Sequence, residues 1–471
     1  MDKRKTVIVF ICEICKQWYF LTNRGKSLLP ELFAICAALL SISTVKAIAQ
    51  EDGESNGSPI SALSDEQASN IKFLGFAQIG LSYNNTSHNA ANNAQSNLPV
   101  VGPADEGLQL NALQLAIERP VFSNILPRTT PVPGPTPRDF SWGFRAEALY
   151  GRSGLPARMF GVDTKLLDQT PKEGGSRIDQ RNYFALPQVM IDMYLPIFSG
   201  VTLTVGRFGS GIGRETPPEW YPSRNFFYSK TYAFVSQPDQ VAGALISANV
   251  SRGDVGFLAG EIGVVNGRQN WKDNNGDKSI IGALRWRSRD MQTWVDYTFM
   301  LGNEQNSPNI TPQMPIARII SPRGQLRQHH SITFMTHPSK IFEVVGEVLA
   351  GKQSGDGKPD TIDILTGPNY TSGTYVGING ELRYRSSRLL QYGVRAEAFR
   401  DRKATALFPV TTVPGDFDAI TTGLNYNINK NVVFRAELRH DWQLHNNGTN
   451  AFGGGSASRQ TTLSSDVILQ F

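Results

Sequence analysis

Charged residues that could act on water and solutes are concentrated in one glycine- and aromatic-rich stretch, residues 209–240. It carries three basic and three acidic side chains, Arg214, Arg224, Lys230, Glu215, Glu219 and Asp239. Opposite charges that face each other across a narrow aqueous space create a transverse field, which orders water and favours small polar solutes. A surface loop packed by its own aromatic side chains is the alternative interpretation of this stretch.

A second group of charged residues alternates with apolar residues in extended segments. Its members are Arg145, Glu147, Arg395, Glu397, Arg435, Glu437, Arg439 and Asp441. Alternation on a β-strand places such charges on one face, where side chains of neighbouring strands meet. These residues either line a path for a solute or form interstrand ion pairs that stiffen the strands, and the pattern favours ion pairs for most of them.

Two short motifs resemble metal sites but lack the required arrangement. Residues 273–277 place oxygen ligands at alternate positions, as calcium loops do, yet Lys278 stands where such loops need glycine. His329 and His330 are adjacent, so on a strand they point to opposite faces, which disfavours a shared metal ion. We therefore predict no metal and no cofactor.

One pair of residues, His440 and Asp441, is of the type used by hydrolases. No nucleophile motif accompanies the pair, and neighbouring residues on a strand face apart. We therefore predict that the protein is not an enzyme.

Strand periodicity dominates the chain from residue 71 onward. Between residues 138 and 151, Trp142, Phe144 and Tyr150 fall on one face, whereas Arg145 and Glu147 fall on the other. The charged face is unsuited to lipid and the aromatic face to water, so one side meets hydrocarbon and the other a watery lumen. About sixteen such segments are readable, and the last one ends the chain.

Short and long links alternate between these segments from residue 183 onward. Short links such as residues 251–254, 288–290, 337–340 and 386–388 are separated by long polar loops. The predicted fold class is therefore all-β, a transmembrane antiparallel β-barrel of about 16 strands with short periplasmic turns and long extracellular loops. Residues 120–137 break the alternation, because a short turn is expected there and the segment is long and rich in proline.

The first 49 residues have the features of a secretory signal peptide. Arg24 and Lys26 precede an apolar run, and Ala-Ile-Ala at residues 47–49 predicts cleavage before Gln50. All three cysteines lie in this leader, so the mature chain is cysteine-free, as suits an oxidising compartment. Residues 50–70 predict a flexible periplasmic arm, and residues 71–471 the barrel.

Composition argues against a helical membrane protein and against a nucleic-acid-binding protein. The chain is 40% hydrophobic with a mean hydropathy of -0.27. After residue 50 it lacks the run of about 18 apolar residues that a membrane-spanning helix needs. Of 46 basic and 41 acidic residues, 39 and 38 remain beyond the leader, so nucleic acid is not an expected partner.

Several motifs occur in the order typical of one family. They are ERP at residues 118–120, WGFR at 142–145, GRF at 206–208, GRE at 213–215, FYS at 227–229 and AELRHD at 436–441. Over roughly residues 72–471 the chain thus resembles the OmpL-like putative beta-barrel porin family. The resemblance implies a pore narrowed by an inward-folded loop in the place of residues 209–240. Residues 120–137 depart from the family pattern.

The predicted function is that of an outer-membrane porin, a water-filled channel for passive diffusion of small hydrophilic solutes. A substrate-selective channel, a barrel enzyme and a closed structural barrel are the alternatives. Expected partners are outer-membrane lipid, lipopolysaccharide, the barrel assembly machinery, small hydrophilic solutes and further copies in a homotrimer. The terminal Phe471 is similar to the signal that outer-membrane proteins present to that machinery.

Overall fold

The computed structural model describes residues 71–86, 97, 102–103, 106–125, 134–163, 182–215, 225–273, 275–304, 326–354, 361–363, 367–369, 372–403, 405–407, 413–445 and 448–471. The predicted leader and arm, residues 1–49 and 50–70, lie outside the described residues, so these boundaries stay predictions.

Sixteen antiparallel strands form one closed sheet, as the sequence predicts. In chain order they are β1 Lys72–Asn84, β2 Gly107–Arg119, β3 Ser141–Gly151, β4 in two segments, Tyr183–Ala185 and Val189–Leu195, β5 Val201–Gly209, β6 Gln240–Gly253, β7 Gly256–Val265, β8 Ser279–Arg287, β9 Thr293–Asn303, β10 Leu326–Ser339, β11 Phe342–Ser354, β12 Ser372–Arg385, β13 Leu390–Asp401, β14 Gly415–Asn427, β15 Val432–His445 and β16 Arg459–Gln470. Both segments of β4 pair with β3, which is why they count as one strand.

Little helix accompanies the barrel in the described part of the chain. Two short helices, α1 (Gly154–Ala157) and α2 (Tyr232–Ser236), lie in links between strands, and Gly453–Gly455 forms a single 3₁₀ turn. A separate small hairpin pairs Thr361–Asp363 with Gly367–Asn369. None of the helices described is long and apolar enough to cross a membrane.

The last strand closes the barrel against the first. Strand β16 pairs with β15 on one side and with β1 on the other, for example at Ile79 and Val467. Beyond this ladder, Gly75 and Phe471 exchange two backbone hydrogen bonds of 2.9 and 3.0 Å. Closure pairs the strand edges that would otherwise invite aggregation.

Outward and inward faces differ as the alternating sequence predicts. On β12, the side chain of Ile378 is 56% exposed on the outside, whereas Asn379 next to it is 4% exposed on the inside. Exposed apolar side chains recur around the outside of the barrel, among them Leu115, Ile246 and Leu438. Because each Å² of apolar surface left in water costs about 25 cal/mol, such a continuous belt belongs in hydrocarbon.

Short and long links occupy opposite ends of the barrel. The short-turn end carries residues 196–200, 254–255, 288–292, 340–341, 386–389 and 428–431 between its strands. The long-loop end carries residues 85–106, 152–182, 210–239, 266–278, 304–325, 355–371, 402–414 and 446–458. The predicted alternation is confirmed, and residues 120–140 are the single long link at the short-turn end.

Polar side chains close the short turns by binding backbone amides. The carboxamide oxygen of Asn429 accepts hydrogen bonds from the amides of Asn431 and Val432. The hydroxyl of Ser387 accepts from the amides of Leu389 and Leu390. Such local bonds favour turns over continued strands, which fixes where each strand ends.

We predict that replacing Phe471 with asparagine lowers the fraction of folded barrel in the membrane. The reason is that Phe471 lies where the last strand closes on the first, and its ring packs directly against Gly75. The folded fraction is measured from the heat-dependent shift in gel mobility. Phe198→Asn is the control, because this ring is 96% exposed in a short turn. Equal folding of the Phe471 variant and the parent would contradict the prediction.

Candidate functional site

The link between β5 and β6 crosses the interior of the barrel. We call residues 210–239 the inward loop, of which residues 210–215 and 225–239 are described. Its polar contacts reach β11, β12, β13 and β15. In a ring of sixteen strands, β13 lies seven strands from β6 and eight from β5. The loop therefore spans the barrel from one wall to the opposite one.

The first part of the loop is held by ion pairs. Arg285 on β8 donates to the carbonyl of Gly211 at 3.3 Å, near the start of the crossing. Arg214 then forms an ion pair with Glu381 on β12. Glu215 contacts Arg395 on β13 at 3.3 Å. Strand β8, two strands from β6, thus holds the start of the loop, and β12 and β13 on the opposite wall hold the part that follows.

Three successive aromatic residues of the loop each lie against an arginine of the wall. The distances from guanidinium carbon to ring centroid are 5.2 Å for Arg383 and Phe226, 4.7 Å for Arg395 and Phe227, and 5.9 Å for Arg435 and Tyr228. These are distances for attraction between a cation and the face of an aromatic ring.

Wall glycines leave room for these rings. A Cβ atom on Gly80 would lie 2.1 Å from the hydroxyl oxygen of Tyr228, and one on Gly393 would lie 2.4 Å from the ring of Phe226. Any larger residue at these inner positions would displace the loop. The sequence of the wall is therefore matched to the position of the loop.

A carboxylate of β15 binds the backbone of the loop directly. The two oxygens of Glu437 accept hydrogen bonds of 2.9 Å from the amides of Tyr228 and Ser229. On the neighbouring side, the hydroxyl of Tyr228 donates to Asn111 of β2 at 2.8 Å. The tip of the described loop is thus tied to two strands on either side of the barrel seam.

Helix α2 is held at both of its ends. At its N-terminus, Glu397 of β13 accepts from the amide of Tyr232 at 2.8 Å, and the Thr231 side chain accepts from the amide of Phe234. At its C-terminus, the guanidinium of Arg268 donates to three carbonyls, those of Val235, Ser236 and Gln237, at 2.7–3.1 Å. Acidic and basic partners at these respective ends also match the helix dipole.

Burial shifts the pKa values of two charged groups near α2, Arg268 and Asp239. Burial lowers the pKa of Arg268 to about 10, so the side chain stays cationic at neutral pH. Burial raises the pKa of Asp239 to about 7, an effect that the charges of Arg268 and Lys230 oppose. Asp239 therefore binds a proton more readily than an exposed aspartate does.

Arg439 of β15 is a fully enclosed charge of the wall. It is 0% exposed and pairs with Asp441 at 2.7 Å and with Glu397 at 2.6 Å, while donating to the carbonyl of Lys230 at 3.2 Å. The hydroxyl of Tyr232 donates to Asp441 at 2.8 Å. Arg439 thus binds two carboxylates of the wall and one carbonyl of the loop.

An apolar cluster fills the space between α2 and the wall at the long-loop end. The ring of Tyr232 lies 5.4 Å from that of Phe417, and Tyr375 lies 6.3 Å from Phe399. Buried Leu407 belongs to the same cluster. Such packing excludes water on this side of the loop, so a solute path has to lie elsewhere in the interior.

A few interior charges keep contact with water. The side chains of Arg214, Arg383, Arg145 and Glu343 are 11, 14, 16 and 20% exposed. Arg145 on β3 pairs with Glu118 and Glu147, and Arg383 on β12 pairs with Glu343 and Glu381. Basic and acidic groups on two nearly opposite walls of the barrel are therefore accessible to water in the interior.

Comparison with known proteins places these features in a family. The family described as "Putative beta-barrel porin-2, OmpL-like" matches residues 70–471. The chain belongs to this porin family. No curated protein sequence matches the porin.

Three solved structures similar to the chain share little sequence identity with it. The outer membrane channel DcaP of Acinetobacter baumannii has a TM-score of 0.49 and 10% identity, over 88% of the porin and 100% of DcaP. The anion-selective porin from Comamonas acidovorans has a TM-score of 0.49 and 10% identity, over 85% and 99% of the two chains. Salmonella typhi OmpF, in complex with daunomycin, has a TM-score of 0.47 and 11% identity, over 86% and 99%.

The structure places the predicted constriction residues of the porin in different surroundings. Arg214 and Glu215 bind the far wall, Lys230 is buried beside the ring of Phe234, and Asp239 lies where the loop returns to β6. Two further candidates, Glu219 and Arg224, lie outside the described residues.

The predicted wall residues divide into two groups. Those of β13 and β15 meet the inward loop, namely Arg395, Glu397, Arg435, Glu437, Arg439 and Asp441. Arg145 and Glu147 instead pair with each other on β3. Two residues that bind the inward loop, Arg268 and Glu381, were not among the predicted sites. The role of Arg268 depends on a helix end more than 30 residues away in the chain. Glu381 precedes the apolar Leu382 on its strand, and this alternation indicates that Glu381 faces inward.

We predict that Arg439→Ala destabilises the porin by about 3–5 kcal/mol, because it leaves Glu397 and Asp441 buried without their cation. The free energy of unfolding is measured by denaturant titration of the protein in detergent or lipid.

Arg402→Ala is the matched control for this variant. Arg402 also pairs with an aspartate, Asp416, but its side chain is 65% exposed. We expect the control to unfold at nearly the same denaturant concentration as the parent. Equal, small effects of both substitutions would contradict the structural role of Arg439.

Proposed function

We propose that the porin is a passive channel for small hydrophilic solutes and that the inward loop forms its narrowest part. The observation that carries this proposal is the loop itself, which crosses the interior and is bound to the opposite wall by Glu397 and Glu437. A bound loop of this kind reduces the cross-section available to solutes. Dense packing of the loop favours a narrow channel over a wide one.

The interior charges support weak rather than strict selection. Most of them pair within the wall or with the loop, as Arg439 does with Asp441. The groups that keep contact with water are of both signs. A channel with this lining presents a transverse field without a large net charge, which suits small polar solutes.

Selectivity at the loop gives a direct test, which uses Arg214. Arg214→Glu places a second carboxylate beside Glu381 in a space where charges are poorly screened. We expect the reversal potential in a salt gradient to shift toward cation selectivity, by about fivefold in permeability ratio for each kcal/mol of added attraction.

Lys272→Glu is the control, since Lys272 is exposed in another link. It makes the same change of charge outside the interior, so its reversal potential should match that of the parent. If Arg214→Glu also conducted and selected like the parent, the loop would not line the solute path.

We also infer that the short-turn end faces the periplasm. Support comes from the predicted secretory leader and from the short turns, which suit a chain threaded through the outer membrane from inside. Because all three cysteines of the chain lie in the predicted leader, Asn275→Cys should be labelled on intact cells by a membrane-impermeant thiol reagent, and Arg289→Cys should not. Labelling of position 289 would contradict this orientation.

We propose further partners on the same grounds. Outer-membrane lipid and lipopolysaccharide would contact the apolar belt, and the assembly machinery would bind the terminal strand with Phe471. We also propose a homotrimer. If the native complex in detergent contained the protein mass of a single chain, this would count against it.

We propose no catalytic role. Nδ1 of His440 lies 2.8 Å from the hydroxyl oxygen of Thr461, whereas Asp441 binds Arg439 and Tyr232. The two residues thus serve different contacts. Ester hydrolysis by the purified porin that disappears in Asp441→Asn would contradict this view.

A further inference from the structure

The long link at the short-turn end enters the barrel. We call residues 120–140 the proline-rich link, of which residues 120–125 and 134–140 are described. The hydroxyl oxygens of Ser123 and Thr202 lie 2.8 Å apart, and the side chain of Asn249 donates to the carbonyl of Asn124 at 3.4 Å. Thr202 lies on β5 and Asn249 on β6, so the link covers these two strands.

The contacted face of β5 is its inner face. Thr202 pairs in register with Ser247 of β6, and both are 0% exposed. The next pair along the strands is Leu203 with Ile246, and Ile246 is 48% exposed on the lipid-facing side. Because successive residues of a strand point to opposite faces, Thr202 points into the interior.

The link crosses β3 at close range. A Cβ atom on Gly143 would lie 2.3 Å from the carbonyl oxygen of Arg119 and 2.6 Å from the amide nitrogen of Val121. Beyond this crossing, Val121 and Ile125 are 6% and 0% exposed. The absence of a side chain at Gly143 therefore allows the link to pass over β3 into the barrel.

Hydrogen bonds fasten both described parts of the link. The side chain of Asn124 donates to the Thr136 hydroxyl at 3.2 Å and to the carbonyl of Ser199 at 3.0 Å. The hydroxyl of Tyr194 donates to the carbonyl of Pro137 at 3.0 Å. The link is thus tied to itself, to β4 and to the neighbouring short turn.

We propose that residues 121–125 form a second narrowing of the channel, at the short-turn end and in series with the inward loop. The proposal rests on the channel function proposed above. Two narrow passages in series add their resistances, so residues 121–125 limit conductance and solute size independently of the inward loop. Phe122 is the partly exposed residue of this segment, whereas its four companions are buried, so the proposal assigns contact with the path to Phe122.

The position of the link is tested by a cross-link that does not depend on conduction. Ser123→Cys combined with Thr202→Cys places two thiols where hydroxyls now lie 2.8 Å apart. All three cysteines of the parent chain lie in the predicted leader. We expect a disulfide in the folded porin on mild oxidation, with unchanged conductance. A folded porin without the cross-link, or one whose conductance falls when it forms, would overturn a fixed narrowing.

The effect of the link on the path is tested by adding bulk to it. Phe122→Cys treated with a cationic methanethiosulfonate reagent from the short-turn side should conduct less, whereas equally labelled Lys340→Cys, in an exposed short turn, should conduct as before. Failure of Phe122→Cys to react, or reaction without loss of conductance, would overturn the second narrowing. A parent protein that does not conduct at all would instead overturn the channel function, while the cross-link would still report on the link.

Discussion

Backbone groups that enter the barrel interior have to find hydrogen-bond partners there, because a buried unpaired amide costs about 1–3 kcal/mol. The inward loop meets this requirement through side chains of the opposite wall. The carboxylates of Glu437 and Glu397 accept hydrogen bonds from its amides. The guanidinium groups of Arg395, Arg435 and Arg439 donate hydrogen bonds to its carbonyls. The charged inner faces of β13 and β15 are thus explained by the loop they bind, since these side chains are at most 7% exposed.

This arrangement limits the charges that a solute encounters. Buried ion pairs contribute little net stability, because desolvation of both ions opposes their attraction, but removing one partner leaves a costly buried charge. Charges such as Arg439 therefore act mainly in holding the loop. Those that remain in contact with water, Arg214 and Arg383 among them, have acidic neighbours. Among the described residues, the interior is polar and ionic, and charges such as Arg214 and Arg383 that keep contact with water have partners of opposite sign.

Local sequence pattern was sufficient for the barrel and insufficient for the interior. Strands such as β3 could be predicted because outward residues such as Trp142 and inward residues such as Arg145 alternate within a short stretch of sequence. The lengths of the links then indicated which strand ends lie on the same side of the barrel. Contacts of the inward loop join residues that are far apart in the chain, such as Tyr228 and Glu437, 209 residues apart. Pairing among wall charges was expected, yet Arg435 pairs with Asp466 of β16, a partner that only the strand register identifies. The proline-rich link had no explanation in the sequence, because its partners Thr202 and Asn249 lie on strands that follow it.

The most direct test of this account is the single-channel conductance of the purified porin in a planar bilayer, compared with a variant whose inward loop is shortened between Ile212 and Tyr232. The account predicts that the parent opens small, steady channels and that the shortened variant conducts more, because the loop sets the narrowest cross-section. Equal conductance of the two proteins, with the variant shown to be folded, would contradict the claim that the inward loop narrows the channel.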